Sequence, residues 1–311
     1  MWEGVDDIYS YILLIFVVIF FAGNILTGKA INELPPFTIA FFRLVVAFIV
    51  LFPIGFRKAL QYREQFMAYK KPFLIMTLSG ITFFNTLIYA ALQFTTSTNV
   101  SVLETAIPVV TVLLSAIILK EHIQSFQWIG MIISIIGAVW VVIDGNVMQL
   151  LAMDWNVGDG IMILAIGCWA IYSVFVKQYM PLFPSYAAML VMTGISVIVL
   201  FPFVMVEWLV VGIPTALGSN AHIGGLIYLG IFPSFIAILM YNHAVQQLGA
   251  SKASIFLNFL PVVTMIGASV WLGETVTGAK IVGALAVMGG VMLTTHERKS
   301  KGNQQIKERI S

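Results

Sequence analysis

Long apolar runs alternate with short polar joints from one end of the chain to the other. A membrane-crossing helix needs ~20 largely apolar residues. At that length the runs fall at 10–30, 37–56, 72–93, 100–119, 125–143, 158–178, 185–209, 223–247, 253–272 and 278–295. The joints carry loop signals: Pro35-Pro36, Asp144-Gly145-Asn146, Pro181 to Pro184 and Gly218-Ser219-Asn220. The runs are continuous and too long for the ~10-residue alternating strands of a membrane barrel. The pattern therefore predicts an all-α integral membrane protein with about ten transmembrane helices.

Composition supports this. The 311 residues are 60% hydrophobic and only 10% charged, against about 25% charged in soluble domains. The mean hydropathy is +0.98. So few charges cannot cover so much apolar surface in water, so the lipid bilayer is the expected solvent. The net charge of +2 is small, and its lysines and arginines sit in short loops and a tail. That argues against a nucleic-acid partner, which needs a concentrated basic face. The single cysteine, Cys168, lies in an apolar run, has no disulfide or metal-binding partners, and reads as a small buried apolar residue. The start, Met1-Trp2-Glu3-Gly4-Val5-Asp6-Asp7, lacks the basic n-region of a signal peptide. The first run is expected to be a permanent span.

Basic residues orient the spans. With the N-terminus in the cytoplasm, the inner segments hold Arg57, Lys58, Arg63, Lys70, Lys71, Lys120, Lys177, Lys252, Arg298, Lys299, Lys301, Lys307 and Arg309. The outer loops hold only Lys29 and Lys280, and Arg43 lies within a span, which accounts for all 16. Both termini are therefore expected on the cytoplasmic side of the cell membrane. The Arg57–Lys71 segment mixes charges with Leu60, Tyr62, Phe66, Met67 and Tyr69, as a helix lying on the anionic inner leaflet would. Residues 296–311 form a polar cytoplasmic tail.

The chain also repeats itself. Ile-Val-Leu-Phe-Pro runs from Ile49 to Pro53 and again from Ile198 to Pro202. Pro108-Val109-Val110-Thr111 recurs as Pro261-Val262-Val263-Thr264, with Ser101, Leu119, Glu121, Gly130 and Gly137 matched by Ser254, Leu272, Glu274, Gly283 and Gly290. The offset of about 150 residues is far beyond the ~20–50-residue periods of solenoids. Residues 10–143 and 158–295 form two five-helix units. Because five is odd, the second enters the membrane from the opposite side, giving inverted repeats that can exchange open and closed states.

Charges within hydrocarbon are costly and mark candidate sites. Arg43 lies about seven residues into the second run, roughly 10 Å deep at 1.5 Å per residue, and Glu104 lies at similar depth in the fourth. The expectation is that both face a central cavity and pair. Glu104 would then exchange protons or bind a substrate amino group, and Arg43 would hold a carboxylate or keep Glu104 ionised. The plainer alternatives are a snorkelling arginine and a structural ion pair. Neither residue repeats: Glu104 falls opposite Leu257, and Arg43 opposite Met192. His243, opposite Ala90 or Ala91, suits a proton relay or an imidazole bonded to backbone. Asn24, Asn85 and Asn258 bond between helices or line a wet cavity, because an amide facing lipid is unsatisfied. Tyr89, Trp169, Tyr172 and Tyr241 line a cavity or form interfacial belts. Pro108 and Pro261 are hinge candidates, each removing one backbone bond mid-span. Glu121 and Glu274 are expected to hold turns or cap the next helix. Gly130, Ser134 and Ala138, with Ala279, Gly283, Ala286 and Gly290, form close-packing seams, within the protomer or between two copies in a homodimer.

These patterns resemble the EamA-type family of the drug/metabolite transporter superfamily. The resemblance rests on Tyr241, Ala244, Gly249-Ala250-Ser251, Ser254, Pro261, Glu274, Gly283 and Gly290, echoed by Tyr89, Ala91, Ser101, Pro108, Glu121, Gly130 and Gly137. Phe21-Ala22-Gly23-Asn24 with Lys29, and Trp169-Ala170-Ile171-Tyr172 with Lys177, look like the family's first-helix patterns. Arg43 sits where such proteins often carry an arginine. The resemblance covers about residues 10–295. It implies cytoplasmic termini, a cavity lined by helices one to four of each repeat, and export of amino acids or other small metabolites, often driven by protons.

The chain has no Gly-x-x-x-x-Gly-Lys-Ser/Thr loop for an ATP-driven pump. It has neither clustered acids nor a His-Glu-x-x-His helix for a metal-dependent enzyme. No cofactor is expected. The reading is a secondary active transporter that exports a small-molecule substrate such as an amino acid by alternating access, with protons as the candidate coupling ion. A facilitative uniporter or exchanger for another solute, and a channel or structural protein, are the alternatives.

Overall fold

The computed structural model describes residues 3–118, 125–148, 156–248, 257 and 259–295. Asn258, Glu121 and the 296–311 tail lie outside the described residues. Regular structure among the described residues is helical. Helix α1 spans Glu3–Ala30, α2 Pro36–Gln61, α3 Arg63–Ala68, α4 Lys70–Met76 and α5 Phe84–Leu92. A π-helical stretch, Thr77–Phe83, joins α4 to α5. Next come α6 (Ser97–Glu104), α7 (Ile107–Ile118), α8 (Ser125–Val142), α9 (Val157–Tyr179) and α10 (Ser185–Val211). A second π-helical stretch, Phe232–Ile236, joins α11 (Asn220–Ile231) to α12 (Ala237–Leu248). The last two helices are α13 (Leu260–Trp271) and α14 (Gly278–Thr295). Eight helical segments, from Tyr9–Ala30 to Asn220–Tyr241, are long and apolar enough to cross a membrane, and Leu260–Trp271 and Gly278–Leu293 are apolar but shorter.

Equivalent helices of the two halves meet and run in opposite directions. Along α2 and α10, Phe37 stacks on Phe203, Phe41 meets Phe201, Phe48 lies over Gly194, and Gly55 abuts Tyr186 and Leu190. Pro53 and Pro202 sit inside these two helices, toward opposite ends of the pair. Along α8 and α14, Gly290 meets Gly130 and Ser134, Gly137 meets Gly283 and Ala286, and Gly145 meets Ala279. The small-residue seam is thus consumed within the protomer. Backbone contact this close tolerates no side chain: a Cβ at Gly290 would lie 2.5 Å from Ser134 N and 2.6 Å from the Gly130 oxygen. Gly290→Ala should destabilise the protein by about 1–3 kcal/mol, read as a lowered Tm in detergent.

Contacts define two ends of the bundle. At one, the Lys29 end, Lys29 reaches Thr95, Asn156 reaches Phe94, Glu274 reaches Ser97, and Thr277 bonds Asp144. At the other, the Lys70 end, Gln65 bonds the Leu182 carbonyl and Tyr9 packs edge-on against His243. The Arg57–Lys71 segment is helical, but it does not simply lie on a surface. Phe66 turns into the protein, stacked on Phe183 with centroids 4.9 Å apart, while Leu60 and Met67 point outward.

The fourth apolar run is not one helix. α6 stops at Glu104, Thr105 and Ala106 form a turn, and α7 restarts at Ile107. Pro108 is the cause, since it has no N–H to give the Glu104 carbonyl four residues back. The matching Pro261 likewise sits in the first turn of α13. Pro108 thus opens a new half-helix instead of bending a continuous one.

Candidate functional site

Arg43 is 4% exposed, and its guanidinium is held from three directions. Nε and Nη2 donate to Ser234 Oγ at 3.1 and 2.6 Å. Nη1 donates to Asn24 Oδ1 at 3.1 Å, to Asn85 Oδ1 at 2.8 Å and to the Tyr89 hydroxyl. The Tyr89 ring also lies 5.5 Å from the guanidinium carbon, and its hydroxyl donates onward to Asn24 Oδ1 at 2.9 Å. The cage gathers α1, α2, α5 and the second π-helical stretch.

Every acceptor in this cage is neutral. The expected Arg43–Glu104 ion pair is not formed, and no carboxylate pairs with Arg43 among the described residues. The physical reason is local: amide, phenol and hydroxyl oxygens already fill most of the guanidinium's donor directions. A buried charge without a counterion is costly, and hydrogen bonds to neutral dipoles offset this only in part. One hydrogen on Nη2 is left over, because that nitrogen carries two and has one acceptor. Asn24 and Asn85 turn their oxygens to Arg43, so their amide nitrogens face away. Neither nitrogen makes a hydrogen bond among the described residues, and neither is sealed from open space. The cage therefore presents a positive charge and spare N–H donors.

Glu104 stands close by. It lies within electrostatic reach of the Tyr89 hydroxyl, the group that also touches Arg43. The residue is half-buried, and no described residue bonds or pairs with its carboxylate. It ends α6, where Pro108 denies the Glu104 carbonyl its helical N–H and the helix dipole is negative. Carboxylate and helix end together favour a cation or a proton.

The sequence reading missed Ser234, although it leaves a trace. Pro233 has no N–H for the Leu229 carbonyl, and the Ser234 hydroxyl supplies the missing donor at 2.6 Å. Its lone pairs then accept from Arg43. The first π-helical stretch repeats the device: Thr82 bonds the Thr77 carbonyl five residues back at 3.2 Å and crosses to Ser196 at 2.8 Å. π-helical turns of this kind are frequent at functional sites.

The other candidates are placed apart from the cage. Trp169 packs 4.4 Å from Phe84 and 4.9 Å from Tyr172, and the Tyr172 ring covers Gly80. Tyr241 joins Tyr11, Leu14 and Ala244. His243 is exposed at the Lys70 end. Glu274 caps a helix as expected, but in the other half of the chain and not the helix that follows it. A cleft of about 590 Å³ opens at the Lys29 end between α1 and α11, lined by Gly23, Thr27, His222, Gly224, Gly225 and Tyr228. Neither Arg43 nor Glu104 lines it, so it is separate from the cage.

The model of the EamA-like transporter family matches residues 8–143 and again 156–296. The chain belongs to this family. An uncharacterized Bacillus subtilis transporter, YyaM, is 29% identical over 286 residues, covering 86% of this chain and 90% of that protein. An uncharacterized transporter of Archaeoglobus fulgidus is 24% identical over 92% of this chain and 97% of its own. A protein of Streptantibioticus cattleyicolor named as a probable terminal-alkyne amino-acid exporter is 26% identical over 60% of each chain. A solved crystal structure superposes with a TM-score of 0.62 at 13% identity, covering 96% of this chain and 99% of that one; this likeness concerns the fold alone.

Proposed function

We propose that this EamA-like protein is a secondary transporter that exports a small zwitterionic metabolite, such as an amino acid, by alternating access coupled to protons. Arg43 anchors the substrate carboxylate, and Glu104 carries the coupling proton and receives the amino group. The observation behind this reading is the buried Arg43 cage with only neutral partners among the described residues, its Tyr89 within electrostatic reach of the Glu104 carboxylate. A bound carboxylate supplies the counterion that Arg43 lacks, and the cage keeps it oriented by charge-assisted bonds. The relative named as an amino-acid exporter is in keeping with that chemistry.

The transport cycle uses the symmetry of the chain. We read ten spans in two inverted five-helix repeats, 10–143 and 158–295, with both termini and the 296–311 tail on the cytoplasmic side of the cell membrane. The antiparallel α2–α10 and α8–α14 pairs and the twofold family match support this arrangement. The distribution of basic residues supports the orientation.

Proteoliposomes loaded with candidate solutes test the reading. Saturable counterflow is expected for neutral zwitterions, with competition by other zwitterions and not by simple amines or monocarboxylates. Flux that fails to saturate, or equal competition by all three classes, would overturn it. The same ligands should raise the Tm of the purified protein, by about 2.7 kcal/mol of added stability at a hundredfold excess over Kd.

A further inference from the structure

We infer that α6 is a lever joining the candidate site to closure of the Lys29 end, and that Glu274 is its latch. The site half of this inference rests on the role given to Glu104 above; the latch half does not.

The N-terminus of α6 is capped from the other half of the chain. Ser97 N donates to Glu274 Oε1 at 2.8 Å, and Thr98 N and Oγ1 donate to Oε2 at 3.3 and 3.2 Å. The next N–H, of Asn99, goes to Thr96 Oγ1 at 3.1 Å. The first turn of a helix leaves its N–H groups without intrahelical partners, and here Glu274 takes two of them. A carboxylate is also the group that the positive end of the helix dipole favours.

Glu274 is held firmly in turn. Gly273 turns the chain at φ 66°, and Glu274 N bonds back to the Ala268 carbonyl, six residues away, at 3.1 Å. This bond folds the chain back onto the end of its helix, so the carboxylate rides on the end of α13. α13 packs closely on α6 and makes no comparable contact with α7. The two helices therefore converge at the Lys29 end.

The turn that leads into α6 is gripped from two further sides. Lys29 Nζ donates to the Leu92 and Thr95 carbonyls at 2.7 and 2.8 Å. From the start of α9, Asp159 accepts from Thr95 Oγ1 at 2.7 Å, and Asn156 donates to the Phe94 carbonyl at 2.7 Å. Lys29 and Glu274 are also within electrostatic reach of each other. Opening the Lys29 end would require residues 92–98 to leave this grip.

The opposite end of α6 is Glu104, followed by the Thr105–Ala106 break. The helix has eight residues, about 12 Å at 1.5 Å per residue. It is a short rigid rod with a joint beside the candidate site and a latch at its tip. A shift at Glu104 on loading or unloading is carried along the rod to Ser97 and Thr98.

A second cap of the same kind provides an internal control. Glu207 accepts from Phe37 N, Thr38 N and Thr38 Oγ1 at 3.1, 2.8 and 2.7 Å. It joins α2 to α10, which remain in contact as far as Gly55 and Leu190, so this cap is a fixed anchor.

The test uses the full chain with Cys168→Ser and Val100→Cys, a position on α6 that is 0% exposed. The readout is the rate of maleimide labelling in proteoliposomes. Glu274→Gln should raise it about tenfold, the scale set by losing charge-assisted caps, and Glu207→Gln should lower the Tm without changing the rate. Thr98→Val, a gentler change, should raise labelling about twofold to threefold. Equal rates in the Glu274, Thr98 and Glu207 variants would overturn the latch. A labelling response to Glu274→Gln, with none to Glu104→Gln or to saturating zwitterion, would overturn the lever. Absence of counterflow for every zwitterion, with the Glu274→Gln response intact, would count against the proposed function and leave the latch standing.

Discussion

Arg43→Lys is expected to raise the KM for a zwitterionic substrate by about 10–100-fold while the helices stay assembled. Lysine keeps the charge but loses the planar fork. An ammonium with three donors cannot bridge Ser234 on one side and Asn24, Asn85 and Tyr89 on the other while also gripping a carboxylate. Charge-assisted hydrogen bonds contribute about 1.5–3 kcal/mol each, which sets the scale. Arg43→Ala is the poorer experiment, because it leaves several buried oxygens without donors at about 1–3 kcal/mol each, and a fall in activity would then be mixed with a loss of fold. Saturation kinetics in proteoliposomes, beside a melting curve in detergent, separate the two. An unchanged KM for Arg43→Lys would remove Arg43 from the binding site.

Glu104→Gln is expected to abolish accumulation driven by a pH gradient and to leave counterflow at equal pH saturable but with a raised KM, because the amide no longer pairs with the substrate amino group. The amide keeps the size and polarity of the side chain but cannot exchange a proton. With one proton moved per substrate, each pH unit can sustain about a tenfold concentration ratio, since one unit corresponds to 1.36 kcal/mol. In the variant that ratio should fall to about 1. Retention of the full pH-driven ratio would move the coupling group elsewhere. Asp159 would be the next place to look: it is 3% exposed, and its Oδ2 makes no hydrogen bond among the described residues.

Much of this protein could be read from residue order alone. Continuous apolar runs made the helices, because backbone groups in lipid must be satisfied within their own segment. Intramembrane Arg43, Asn24, Asn85 and Tyr89 announced themselves by their cost in hydrocarbon, and all four meet in one cage. Pro108 stands at a break in the fourth run, a helix restart and not the kink that the sequence suggests.

Partner choice was not legible. Ser234 looked like an ordinary small residue until the π-helical turn after Pro233 aimed it at Arg43. Glu104 and Arg43 share a depth, yet depth does not fix the direction in which a side chain points around a helix. Glu274 was recognisable as a cap, but not as one for a helix more than 170 residues earlier in the chain. Sequence determined the helices, their apolar faces and the charges that lipid would not tolerate, since these follow from local composition and the solvent. Tertiary structure alone decided which dipoles surround Arg43, that no carboxylate among the described residues pairs with it, and which helix end Glu274 holds. Those depend on how helices from the two halves cross, a long-range geometry that no short stretch of residues encodes.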